Sequence, residues 1–174
     1  MVSVGFKKSE SDSCLFIRDD CICISYVDDI LVFASNDKVI EKLITDLKGA
    51  GAEINKKDDV AGFLGVDITK HSDKQIELTQ KGLTEKIVTA LGLTDSNPKD
   101  TPAANGTLPK DEDGEDCDGE FNYASVLGML LYLQGHSRPD ISFAVNQCAR
   151  YAFRPKRSHK EAMKRIGRYL KGTL

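Results

Sequence analysis

Three short runs of β-forming residues, with a pair of aspartates between each run and the next, limit what this chain can fold into more than any other feature. Cys14-Leu15-Phe16-Ile17, Cys21-Ile22-Cys23-Ile24-Ser25-Tyr26-Val27 and Ile30-Leu31-Val32-Phe33-Ala34 have Asp19-Asp20 and Asp28-Asp29 between them. Runs rich in β-branched and aromatic residues favour extended backbone, and short polar breaks favour tight turns, so the segment predicts an antiparallel meander with two hairpins. The second and third runs are apolar at nearly every position, which implies a sheet covered on at least one face.

The following residues supply the cover. Asn36 or Asp37 can cap a helix whose Val39, Ile40, Leu43, Ile44 and Leu47 share one stripe before Gly49 and Gly51 end it. A second hairpin is expected where residues 62–68 pair with 75–79 across the polar His71-Ser72-Asp73-Lys74 loop. Thr79 then caps a helix carrying Leu83, Ile87, Val88 and Leu91 and stopped by Gly92. Residues 94–121 hold Pro98, Pro102 and Pro109 and nothing periodic, and read as a long exposed linker. Three helices follow, over 123–134, 139–152 and 158–171, the last opened by the S-x-x-E pattern of Ser158 and Glu161. The class is α+β, with a sheet-bearing part over residues 1–79 and a helical part over 80–174.

Charge is distributed unevenly along the chain. Residues 154–171 carry eight basic residues against Glu161 alone, whereas 111–120 carry seven acidic residues and no basic one. On a helical projection Arg157, Lys160, Lys164, Arg168 and Lys171 fall within about 80° of arc, opposite His159, Ala162, Met163, Ile166, Tyr169 and Leu170. A one-sign stripe is either a solvated face or a phosphate-contacting one, and the acidic run reads as a solvated loop. No apolar run approaches the roughly 20 residues of a membrane span, and Met1 to Ser9 lack a signal-peptide core, so an intracellular setting is expected. The five cysteines show no C-x-x-C spacing and read as reduced, packed thiols, and the three histidines show no ligand spacing.

Two ionised carboxylates about 5 Å apart repel by roughly 3 kcal/mol at an effective dielectric of 20, and by less than about 1 kcal/mol in bulk water. A solvated turn tolerates such a pair, while a pair held in a cleft needs a cation, for which adjacent carboxylates suit Mg²⁺ or Mn²⁺. Residue type alone does not separate Asp28-Asp29 from Asp19-Asp20. Their surroundings do.

Tyr26-Val27-Asp28-Asp29-Ile30-Leu31-Val32 resembles the Tyr-x-Asp-Asp hairpin of reverse transcriptases, in the form usual in the Copia group of retrotransposons. Further blocks in the same order are similar to that family: Gly5-Phe6 with 12–17, Phe63-Leu64-Gly65-Val66-Asp67-Ile68 with 76–80, and the helical region from Tyr123 through Ser137-Arg138-Pro139-Asp140-Ile141 to Arg168-Tyr169-Leu170-Lys171-Gly172-Thr173.

This resemblance implies an antiparallel palm-type sheet with a packed helix, followed by a thumb- or connection-like helical region, as part of a right-hand polymerase. It implies RNA-directed DNA polymerase chemistry with Mg²⁺ or Mn²⁺, and Asp28 and Asp29 as metal ligands. Phe63, Leu64 and Gly65 are then a primer-grip-like element, and Arg157, Lys160, Lys164, Arg168 and Lys171 lie on the nucleic-acid backbone. The partners implied are an RNA/DNA template-primer duplex, a dNTP and an upstream polymerase segment bearing the fingers and a third metal-binding aspartate, without which activity is not expected. No membrane partner is expected, and the location implied is the cytoplasm, inside a virus-like particle, or the nucleus. The alternative is a non-catalytic nucleic-acid-binding or interaction module from a degraded element.

Overall fold

In the computed structural model, residues 1–57, 62–72, 75–104, 106–117 and 119–174 are described. Asp73 and Lys74 of the expected hairpin loop, and Asn105 and Asp118 of the expected linker, lie outside the described residues.

After a 3-10 turn at Val2–Val4, the strands are β1 (Lys7–Lys8), β2 (Leu15–Arg18), β3 (Cys21–Tyr26) and β4 (Asp29–Ala34), paired antiparallel in chain order. The register sets Ile17 opposite Ile22 and Ile22 opposite Phe33, and places Cys21 and Cys23 on alternate positions from Ile22. Because side chains alternate across a strand, one face carries the cysteines and the other the Ile17, Ile22 and Phe33 row. Helix α1 (Asp37–Gly49) closes the cysteine face, and Phe6, Cys21, Cys23, Leu43 and Leu47 form its buried core. The other row stays exposed. Asn36 caps α1 by accepting from the Val39 amide at 3.3 Å, and Gly51 at φ +88° turns the chain beyond it, as the sequence predicts.

The second hairpin pairs β5 (Asp67–Ser72) with β6 (Gln75–Thr79). It is shorter than expected, because Gly62, Leu64 and Gly65 all have positive φ and break the extended run before Asp67. Helix α2 (Lys81–Ala90) follows, with Gln80 rather than Thr79 as its N-cap, since Thr79 is still paired in β6. Then come α3 (Tyr123–His136), a 3-10 turn at Pro139–Ile141, α4 (Ser142–Ala149) and α5 (Arg157–Gly172). Ile87, Leu130, Leu133, Ile141, Met163 and Ile166 are fully buried among these helices. Helix α3 is apolar around most of its circumference, which explains its central position.

By compactness the chain divides into Met1–Phe63 and Leu64–Leu174, whereas the sequence reading places the boundary after Thr79. The β5–β6 hairpin groups with the helices because its approach is hydrogen-bonded to them: Tyr132 donates to the Leu64 carbonyl at 2.6 Å, and Gln80 donates to the Gly65 carbonyl at 3.2 Å. No helix among the described residues is long and apolar enough to cross a membrane.

Candidate metal-binding hairpin

Tyr26 pairs with Asp29, so Val27 and Asp28 form a two-residue loop between β3 and β4. Such loops need φ above zero at the first central residue or at both, positions that favour glycine or asparagine. Here Val27 takes φ +52°, with 83% of its surface exposed. A β-branched residue in the left-handed region is strained, at a cost on the order of 1–3 kcal/mol. The side chains of Asp28 and Asp29 are solvent-exposed, so no apolar cover from the described residues seals the tip.

The two aspartate pairs differ in three dimensions as they do not in composition. At the first turn Arg18 holds Asp20 with two bonds, Nε to Oδ1 at 2.5 Å and Nη2 to Oδ2 at 3.1 Å. The Arg18 guanidinium keeps the Asp20 carboxyl below its ordinary range, so that turn is neutralised locally. Among the described residues, no hydrogen bond or ion pair engages the carboxylate of Asp28 or Asp29. Both line a groove of about 380 Å³ formed with β4, α1 and residues 53–57, which Asp37 and Glu53 also border.

Unpaired carboxylate oxygens on a groove are the donors a hard divalent cation takes. The fit is partial: among the described residues no cluster of three or more acidic, histidine or cysteine side chains is positioned around one point. Asp28 and Asp29 thus offer oxygens for a cation whose remaining positions would fall to water or to a phosphate-bearing ligand.

Leu64 and Gly65 lie in a turn and Phe63 in an isolated β-bridge, and none of the three is in a strand. Gly65 is required by its φ of +71°, since a Cβ there would meet nothing within 4 Å. The Leu64 and Gly65 carbonyls are fixed by Tyr132 and by Gln80, whose Oε1 in turn accepts from Ser137 at 2.8 Å.

The basic helix departs most from its sequence reading. Lys160 lies at the edge of the buried face, only 4% exposed, and its ammonium pairs with Glu120. Lys164 donates to both Glu120 oxygens at 2.9 Å, Lys156 meets Asp116 at 2.7 Å, and Arg157 meets Glu115 at 2.7 Å. Lys171 donates to the Thr94 and Ser96 carbonyls at 2.5 and 2.7 Å. The stripe is therefore not an open solvated face, and the acidic stretch is not a loose loop but a strap along α5. The Asp116 carboxyl is held below its usual value by Lys156, and that of Glu120 by Lys160 and then Lys164. Ser158, expected to cap α5, lies inside it and donates to Asp111 at 2.5 Å. The helix start is secured by His159, whose Nδ1 accepts from the Lys156 amide at 2.9 Å while Nε2 lies 2.9 Å from the Pro109 carbonyl. Sequence reasoning missed this strap, although two opposite-sign runs were visible in one chain.

The cysteines are free thiols, as expected, with Cys21, Cys23 and Cys148 buried. Burial pushes the Cys23 thiol up to about 12 and that of Cys148 up to about 11, so both stay protonated and unreactive at neutral pH.

The comparisons with known proteins show the class to which this chain belongs. A family model described as "Reverse transcriptase (RNA-dependent DNA polymerase)" matches residues 1–105, and the chain belongs to that family. Its relatives place it within the Copia type. It is 32% identical over 177 residues to the Retrovirus-related Pol polyprotein from transposon RE2 of Arabidopsis thaliana, across 99% of this chain and 12% of that protein. Identity to the corresponding polyprotein from transposon RE1 of the same plant is 28% over 177 residues, with the same two coverages. For the polyprotein from transposon TNT 1-94 of Nicotiana tabacum it is 28% over 185 residues, covering 99% of this chain and 14% of that protein. The chain thus spans roughly an eighth of these relatives' length. No solved structure matches it.

Proposed function

We infer that this chain is the catalytic-hairpin portion of an RNA-directed DNA polymerase, contributing two of the carboxylates for metal-dependent nucleotidyl transfer. The observation that carries this reading is the open Asp28 and Asp29 pair on its groove, set beside the turn one hairpin earlier, where Arg18 closes on Asp20.

In this reading Asp28 and Asp29 hold Mg²⁺ or Mn²⁺ by their side-chain oxygens, and the strained Val27 turn fixes where those oxygens sit. The bound ions supply a lowered pKa at a primer 3′-hydroxyl and charge neutralisation at the leaving oxygen of a dNTP. The turn at Phe63 to Gly65 approaches the primer strand, and α5 contacts the phosphates of an RNA/DNA template-primer duplex without reading bases. An upstream segment with the fingers and a third aspartate completes the site, in the cytoplasm or a virus-like particle.

The test uses a longer polyprotein segment that includes that upstream part. Asp28→Asn or Asp29→Asn should lower dNTP incorporation by several orders of magnitude while template-primer binding is retained. Full incorporation by the Asp28→Asn protein would discard the assignment. A second reading, a nucleic-acid-binding module with a vestigial metal pair, is favoured by the two-carboxylate donor set. It predicts equal heats when Mn²⁺ is titrated into wild type and Asp28→Asn.

A further inference from the structure

The strap sets carboxylates over the lysines at the start and in the first half of α5. The side chains of Lys156, Lys160 and Lys164 keep only 11%, 5% and 14% of their exposure, whereas Asp116 and Glu120, which hold them, keep 71% and 47%. A polyanion approaching this part of α5 therefore meets carboxylates first. The strap is tied by backbone as well as by charge: the Arg157 amide donates to the Glu115 carbonyl at 2.9 Å, and the Cys117 amide donates to the Pro155 carbonyl at 3.3 Å.

The outermost charge tie is of a kind that exchanges. The Arg157 and Glu115 side chains are 68% and 74% exposed, and exposed ion pairs contribute roughly 0.2–1 kcal/mol and weaken with salt. Carboxylates lined up against ammonium and guanidinium groups occupy those donors as phosphate oxygens would.

We propose that Asp111, Glu115, Asp116 and Glu120 form an internal phosphate mimic that covers the basic face of α5, and that a nucleic-acid backbone binds there by displacing them. This inference rests on the reading of α5 as a phosphate-contacting helix and adds the competitor built into the same chain. Displacement returns the carboxylates to solvent, where they gather cations, so the closed form releases fewer counterions on binding than α5 alone would. The strap thus weakens binding and also flattens its salt dependence.

The experiment measures binding of the 174-residue chain to a fluorescent RNA/DNA duplex of arbitrary sequence, between about 50 and 200 mM salt. Glu115→Gln/Asp116→Asn/Glu120→Gln is compared with wild type and with Glu85→Gln/Asp95→Asn/Asp100→Asn, which removes the same charge from exposed acidic residues away from the strap. The strap variant should bind about tenfold tighter than the charge-matched control, with a log-log salt slope steeper by about 3, for four uncovered cations at about 0.7–0.9 each. Equal affinity and slope in the two variants overturn the proposal.

Loss of Glu120 leaves the buried Lys160 ammonium short of a partner and can weaken the fold. Glu115→Gln/Asp116→Asn keeps Glu120 in place and should still steepen the slope by about 1.5, against no change for Asp95→Asn/Asp100→Asn. Adding Arg157→Gln/Lys164→Gln to the strap variant tests phosphate contact by α5 separately from competition by the strap. Abolition of the gain supports both. A gain that survives shows that phosphates bind elsewhere, and the reading of α5 itself fails. If these two changes weaken wild-type binding but removing the acids adds nothing, α5 is correct and the competition is wrong.

Discussion

At the residue scale, Val27 bears the clearest conflict between local preference and observed geometry. A glycine at φ +52° would relieve the strain of the β-branched side chain, against a loss of roughly 0.5–1 kcal/mol in chain entropy. Val27→Gly should therefore stabilise the sheet unit by about 1 kcal/mol, seen as a higher urea midpoint for the tryptophan-free chain followed by circular dichroism. Asp140 makes a pH-dependent contribution. Its carboxylate accepts from Arg138 Nη2 at 2.8 Å and from the Tyr169 hydroxyl at 2.8 Å, and Arg138 Nη2 also donates to the Thr173 hydroxyl at 2.6 Å, pinning the end of α5. Arg138 first, then Tyr169, lowers the Asp140 pKa below its ordinary value of 3.8. A depressed carboxyl pKa stabilises the fold above the unfolded value, and that contribution is lost as the pH falls through the folded one. The thermal midpoint should drop below about pH 4, and Asp140→Asn should remove that part of the drop while costing about 1 kcal/mol at pH 7. Arg138-Pro139-Asp140 was visible in the sequence as part of a family block, but the reach of Arg138 to Thr173 depends on packing that no local pattern encodes.

At the element scale, the meander, α1, α2 and α5 were legible because their apolar positions recur at strand or helix spacing and the ends of α1 and α2 carry Asn36, Gly51 and Gly92, while α3 was legible as a continuous apolar run. The strand expected over residues 62–68 failed at Leu64, whose positive φ is a tertiary choice. The basic stripe was legible as geometry but not as environment: a helical projection places Lys160 beside Arg157 and cannot show that Glu120 covers one and Glu115 pairs with the other. The packing of α5 makes its own prediction at Gly167. A Cβ there would lie 2.6 Å from Leu91 Cδ1 and 2.7 Å from Leu93 Cδ1, and both leucines are buried. Overpacking costs about 1–3 kcal/mol and alanine's helix preference over glycine recovers about 1 kcal/mol. Gly167→Ala should thus destabilise the helical unit by about 1 kcal/mol in a urea titration, despite being a better helix former.

At the scale of the whole molecule, the family was readable from blocks spread along nearly the full chain, and the match over residues 1–105 together with near-complete alignment to Copia-type polyproteins bears it out. What makes the hairpin chemically distinct was only half readable. The sequence holds two Asp-Asp turns of similar appearance, and the difference lies in Arg18, which closes on Asp20, whereas none of the described residues pairs with the carboxylate of Asp28 or Asp29. That difference is directly measurable with Mn²⁺, whose paramagnetism broadens amide resonances near a bound ion, in the isotope-labelled 174-residue chain. Selective broadening at residues 27–30, sparing 18–21 and abolished by Asp28→Asn/Asp29→Asn, is the result expected. Broadening that is equal at the two turns, or unchanged in the variant, would contradict a cation site on this hairpin.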